Sequence, residues 1–173
     1  MNRLQQALVW LSRIGHCRGF GIQSPTDYRF VRYVVNEHWP YYAYEQLGRD
    51  DHWQRRKLGR LYFRLANELQ PPLVADLVGY ADYLQAGCRR ARISQELSAE
   101  AALIIAPPTA SAESLLQAAR PGTMLVVEDI GRRPGCWTAI TAQPQATVTY
   151  DLYYCGIAIC LPQRTKQHYI VNF

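Results

Sequence analysis

Paired cysteines are missing from this sequence. Its five cysteines, Cys17, Cys88, Cys136, Cys155 and Cys160, are odd in number, scattered, and form no CxxC. That excludes a disulfide framework and a zinc cluster, and leaves reduced, mostly buried thiols as the expectation. Long apolar runs are missing too. "TMLVVEDI" and "CGIAICL" fall far short of the ~20 residues that span a bilayer. The opening "MNRLQQALVWLSRIG" has a short apolar stripe broken by Gln and Arg, with no small-residue cleavage site after it, so no signal peptide is expected and the default compartment is the cytoplasm. No GxSxG, Walker loop, HExxH or paired-His spacing occurs. His16, His38, His52 and His168 are far apart, and Cys17 beside His16 makes no nucleophile pair, because adjacent residues rarely point at each other. Lysine is scarce as well: of 19 basic residues only Lys57 and Lys166 are lysines.

What is present suits a single globular unit. The 173 residues are enough for one domain and leave little chain for a second core. The net charge is +5, and residues 1–70 hold 11 basic residues against 6 acidic ones, so the whole excess lies there. A pI near 9 permits contact with phosphates or acidic surfaces, but no nucleic-acid motif accompanies it. The pattern divides the domain, 1–173, into a helical N-terminal extension, 1–72, and an α/β core, 73–173.

Within the extension, Leu4, Ala7, Leu8 and Leu11 recur at helical spacing, which predicts an amphipathic helix over Asn2 to Ile14. Ser24, Pro25 and Asp27 make a helix start: a hydroxyl for free N–H groups, a proline suited to the first position, and an acid at the positive end. Phe30, Tyr33 and Val34 are the predicted buried stripe, and Gly19 and Gly21 let the chain turn just before it. "WPYYAYEQLGRDDHW" is an aromatic loop, either a binding surface or packing against the domain. A third helix follows, with Leu58, Leu61, Tyr62, Leu65 and Leu69 on one face. Arg55, Arg56, Arg60 and Arg64 lie towards the other, as an anionic-ligand site or as a solvated basic face. Pro71 and Pro72 end it.

From Leu73 onward strands and helices alternate: "PLVADLV", "ADYLQAGCRRA", "ARIS", "AALIIAPP", "SAESLLQAARPG", "TMLVVEDI", "GCWTAITAQP", then "ATVTYDLYYCGIAICL" and "KQHYIVNF". Alternation of this kind implies a mainly parallel sheet covered on both faces, with a terminal hairpin adding an antiparallel edge.

That order resembles the class I S-adenosylmethionine-dependent methyltransferase fold, a Rossmann-like three-layer αβα arrangement finished by an antiparallel hairpin. Several stretches are similar to a group of methyltransferase-like proteins common in Bacteroidetes. "RGFGIQSPTDYRFV" resembles that group's "GIHSP" segment, and "YYAYEQL" its Tyr-rich stretch. "VEDIGRRPGCWTAITAQPQATVTYDLYYCGIAI" resembles its "DDIhwS…aW…i…hp.Vt.tiDly..Gi" tail. The resemblance implies an S-adenosylmethionine site near Asp76, Gly79 and Glu96, with Asp129 beside a small-molecule methyl acceptor.

Two departures from the family's pattern work against activity. The family's "D/E-L-G-T-x-x-G" loop is here Asp76-Leu77-Val78-Gly79-Tyr80-Ala81-Asp82, with one glycine left, and a Tyr and an Asp where backbone approaches the ligand. Further on, "RARISQELSAEAALIIAPP" passes from the second strand straight to the family's fourth. Ile105-Ala106-Pro107-Pro108 replaces an acidic corner, so no metal is expected. Glu96 is either a ribose-binding acid or an exposed Glu at a helix start. Asp129 either meets an acceptor, or caps the next turn or pairs with Arg132 or Arg133. The expectation is a methyltransferase-like protein with an eroded cofactor site and weak or no catalysis. The alternative is a non-catalytic binding or assembly protein that uses its Arg- and Tyr-rich N-terminal surface and an uncovered sheet edge, with a homodimer or protein partner there.

Overall fold

Short strands with apolar residues on both faces build the core. The strands are β1 (Leu73–Asp76), β2 (Arg92–Ser94), β3 (Leu103–Ala106), β4 (Met124–Glu128), β5 (Val148–Asp151), β6 (Cys155–Ile159) and β7 (Gln167–Ile170). In the computed structural model, which describes residues 3–173, they form one seven-stranded sheet in the order β2-β1-β3-β4-β6-β5-β7. Pairings from β2 to β4 are parallel, and β7 is parallel to β5. The hairpin is formed by β5 and β6. Its antiparallel strand β6 lies inside the sheet, between β4 and β5, and the edge beyond is the parallel β7.

Val74, Leu103, Ile105, Met124 and Val126 face one apolar cluster, whereas Ala75, Ile104, Ala106, Leu125 and Val127 face the other. Successive strand side chains point to opposite faces, so each strand feeds both. Helices α3 (Trp53–Leu69) and α4 (Ala81–Gly87) cover the first face, and α5 (Ala112–Ala118) and α6 (Gly135–Ala142) the second. The protein is therefore α/β with a Rossmann-like three-layer arrangement. Helices α3 and α4 pack closely: a Cβ on Gly59 would meet the Tyr83 ring, and one on Gly87 the Phe63 carbonyl. Between β2 and β3 there is no helix, which leaves the three-residue β2 at the sheet's other edge.

The N-terminal part departs from its sequence pattern in instructive ways. Helix α1 (Arg3–Ser12) forms, but none of its residues is buried. Leu4, Leu8, Trp10 and Leu11 stay exposed; Asn2, where the helix was expected to begin, lies outside the described residues. Helix α2 (Pro25–Phe30) starts as read, with the Ser24 hydroxyl accepting from the Asp27 N–H and Pro25 first. Asp27, however, is buried, and its carboxylate accepts from Arg164 at 2.8 and 2.7 Å, from Tyr150 at 2.9 Å and from Tyr169 at 3.1 Å. Burial alone would push its pKa up, but these bonds outweigh it and hold the carboxyl below its ordinary value.

After Phe30 the helix widens into a π turn, Val31–Val35, in which the Asn36 N–H donates to the Val31 carbonyl at 2.9 Å. Val31, Val34 and Val35 are buried in it; of the predicted stripe Val34 is buried and Phe30 packs against the core, whereas Tyr33 is exposed. The helix ends here, and the open Val34 and Val35 carbonyls of its last turn accept from the Arg64 guanidinium at 2.6 and 2.9 Å. Arg64 is thus a buried strut and no part of a solvated face. In the aromatic loop Tyr41 and Tyr44 pack edge-on against Phe63, while Trp39 and Tyr42 remain exposed.

Candidate functional site

Open α/β sheets bind ligands at the carboxyl ends of their strands, and here those ends carry the turn after β1. Its shape is dictated by Gly79, whose φ of +87° is a conformation that side-chain-bearing residues rarely adopt. Asp76, buried at the end of β1, folds its carboxylate back into the turn and accepts from the N–H groups of Val78 at 3.3 Å, Gly79 at 2.9 Å and Tyr80 at 2.5 Å. The backbone donors of the turn are therefore spent on the chain's own acid.

Tyr80 packs beneath the turn. Its ring is buried, lies edge-on to Tyr62 with centroids 4.8 Å apart, and sits under the Arg55 guanidinium at 4.4 Å. Its hydroxyl lies near enough to Glu128, at the end of β4, to bear on that carboxyl, and Glu128 accepts from the Tyr62 hydroxyl at 2.8 Å. Tyr80 follows β1 and Glu128 ends β4, and β3 lies between those strands. The side chain thus points from the end of β1 towards the end of β4. Burial pushes the Glu128 carboxyl above its ordinary pKa, and the two tyrosine hydroxyls and Arg55 only partly oppose this. Arg55 fastens the turn from outside, donating to the Gly79 carbonyl at 2.5 Å and pairing with Asp51 at 3.2 Å. Asp51 in turn accepts from Tyr83 at 2.8 Å.

Of the residues singled out from sequence, only Asp76 and Gly79 meet in one turn. Glu96 is exposed, and its N–H donates to the Ser94 hydroxyl at 3.1 Å. No helix starts there, so the reading of Glu96 as a helix-start acid is corrected: the chain turns directly towards β3. Asp129 occupies a left-handed conformation, φ 53°. Its N–H donates to the Tyr154 carbonyl at 2.7 Å, and its own carbonyl accepts from the N–H groups of Arg132 and Arg133. The Asp129 carboxylate takes part in none of the ion pairs among the described residues. Sequence reasoning passed over Tyr62 and Tyr80 as polar partners of Glu128. The signal available was a lone tyrosine within the leucine stripe of α3.

Two clefts open beside α3. One, of about 530 Å³, lies over the turn and is lined by Gln46–Asp51, Arg55, Gly79–Tyr83 and Gln95; Glu96 does not line it. Asp50, Asp51 and Asp82 face Arg49 and Arg55 in it, so its charge is mixed. The other, of about 430 Å³, lies between the π turn, the aromatic loop and α3. Among the described residues no group of three or more His, Cys, Asp or Glu is placed to hold a metal ion, and no helix is long and apolar enough to cross a membrane. All five cysteines are free, and four of them are buried. Compared with known proteins, the chain matches no family model, no curated protein and no solved structure.

Proposed function

We propose that the chain is a non-catalytic binding protein on a methyltransferase-like frame, its place for S-adenosylmethionine taken over by its own side chains. One observation carries the reading: the buried Tyr80 ring packs on Tyr62 with its hydroxyl towards Glu128, while Asp76 consumes the amides of the turn. A cofactor would have to expel a buried aromatic ring and outcompete a charged acceptor at three N–H groups, and each costs kcal/mol before any binding is gained. Were the site active, Asp76, Gly79 and Glu96 would hold the cofactor, Asp129 would lie near a small-molecule acceptor, and catalysis would be mainly positioning for in-line attack on the sulfonium methyl. No metal enters this reading, and the compartment we propose is the cytoplasm, a reading supported by the five free thiols.

The test is titration with S-adenosylmethionine and S-adenosylhomocysteine, followed by calorimetry and thermal unfolding. A flat response at millimolar ligand is expected. Ligand at a hundred times its dissociation constant would add ~2.7 kcal/mol of stability, and a saturable shift of that kind would overturn the reading.

A second observation favours an assembly role: α1 presents Leu4, Leu8, Trp10 and Leu11 to solvent, and contiguous apolar surface of this kind marks contact sites. The short β2 edge, which carries Arg92, is the other place proposed for a homodimer or partner contact. A monodisperse monomer in light scattering at high concentration, with no partner recovered, would count against assembly.

A further inference from the structure

The cleft beside the π turn is basic, aromatic-walled and left with unmet donors. Arg56, Lys57, Arg60 and Arg64 line it together with Asn36, and Trp39, Trp53, Tyr44 and Phe173 supply flat apolar surface. Glu37 is the one carboxylate side chain in the lining, and it is engaged by the Tyr41 hydroxyl at 2.7 Å. None of the ion pairs among the described residues involves Arg56, Lys57, Arg60 or Arg64.

Two of these cations are already employed by backbone. Arg64 is tied to Val34 and Val35, and Arg56 donates to the carbonyls of Gly48, Arg49 and Asp51. Lys57 and Arg60 are different. The Lys57 ammonium sits 4.2 Å over the Phe173 ring, and the Arg60 guanidinium 4.7 Å over Tyr44. Within the same lining, the Nε of Arg60 and the Nδ2 of Asn36 are buried without any hydrogen-bond partner, and Asn36 as a whole is only 7% exposed. Buried donors of this sort are rare, and each costs about 1–3 kcal/mol if nothing meets it. Both belong to residues that line the cleft, and an anion held there would relieve the crowding of like charge.

We infer that this cleft binds a small phosphate-bearing ligand, its phosphate held by Lys57, Arg60 and Asn36 and its planar portion resting against Trp39, Trp53 and Phe173. Phosphate is favoured over carboxylate by charge: two uncommitted cations match a phosphate monoester near −2, whereas a carboxylate offers −1. A half-enclosed space of about 430 Å³ suits a small molecule better than a polymer. The inference goes beyond the loss of cofactor binding and stands with or without it, because the two clefts share no lining residue.

Phenyl phosphate is the probe, titrated by calorimetry at constant ionic strength beside inorganic phosphate, benzoate and S-adenosylmethionine. Phenyl phosphate should bind saturably, more tightly than inorganic phosphate and than benzoate. Lys57→Gln and Arg60→Gln should each weaken it by about tenfold or more, the loss expected for one charge-assisted contact. Arg132→Gln, which lies outside both clefts, should leave it unchanged. Should either cleft variant fail to fold, the side-chain amide resonances of Asn36, assigned by their loss in Asn36→Ser, should move on addition of phenyl phosphate to the unaltered protein. Absence of saturable binding, benzoate binding as tightly, unweakened variants, or an unmoved Asn36 amide would each overturn the inference. The S-adenosylmethionine arm is read separately, so failure here and failure of the cofactor reading remain distinct.

Discussion

Two stretches of α3, one turn apart, face opposite fates. Arg55 is tied from outside to the turn after β1, bonded to the Gly79 carbonyl and Asp51 and stacked on Tyr80. Lys57 and Arg60 face a cleft where charge goes unpaired and two donors find no acceptor. Both regions are polar and aromatic, and both sit beside concave surface. They differ in satisfaction: in the first, acid, amides and hydroxyls answer one another, while in the second the protein offers donors and supplies almost no acceptor. Since native proteins rarely leave buried donors unmet, the unmet set is the better guide to where a ligand belongs, even though a Rossmann-like sheet directs attention to the other.

Removing the Tyr80 ring should have the largest effect. Tyr80→Ala deletes a buried ring from the first region and should cost about 3–5 kcal/mol in urea unfolding. The variant should give no saturable response to S-adenosylmethionine, because Asp76 keeps the amides; a saturable response would mean that the ring alone stood in the way.

Lys57 should behave in the opposite sense. Burial first, then the neighbouring Arg64, draws its pKa down to about 8 from 10.5, with Cys155 pulling weakly the other way. Arg56, Arg60, His38 and Glu37 also line its surroundings. The folded protein therefore gives up this proton near pH 8 while the unfolded chain keeps it to about 10.5, so stability should rise with pH between those values. Lys57→Met should abolish that rise and stabilise the protein at pH 7 by about 1–3 kcal/mol, as denaturant midpoints across the pH range would reveal. A loss of stability instead would place Lys57 with the satisfied groups and dissolve the contrast.

A smaller effect is expected at Glu128. Its folded pKa lies above the ordinary 4.5 because burial outweighs the Tyr62 and Tyr80 hydroxyls. The folded state thus holds its proton longer than the unfolded chain, and stability should fall as pH climbs from 4.5 through the folded value. Glu128→Gln should remove that slope and change stability at pH 7 by only about 1 kcal/mol. The smallest change belongs to α1: Leu8→Lys should alter stability by less than about 0.5 kcal/mol while reducing any self-association detected by light scattering.

Much of this architecture could be read from residue order alone. The strand–helix alternation after Leu73, the cap at Ser24 and the stop at Pro71-Pro72 all correspond to elements found, because each rests on local chemistry. Crowding at the Asp76–Tyr80 turn was visible as well, since a single glycine and a bulky neighbour are features of the sequence. What the order of residues hid was mostly long-range. Tyr62 reads as one more member of an apolar stripe until Glu128, 66 residues away, is brought beneath it. Arg64 reads as surface charge until the π turn presents two carbonyls to it. The cleft depends on Asn36, Lys57 and Phe173 meeting, and no spacing in the chain announces that.

The π turn at Val31–Val35 also has a meaning in frames of reading. A π turn holds one residue more than the α-helical turn it replaces, and one residue is about 100° of helical rotation. Deleting a single codon within 31–35 would restore an unbroken α-helix, a gain by the measure of secondary structure. The same deletion would swing Asn36 away from the cleft and withdraw the carbonyls that anchor Arg64. A regular helix and a furnished cleft are thus mutually exclusive outcomes separated by three nucleotides.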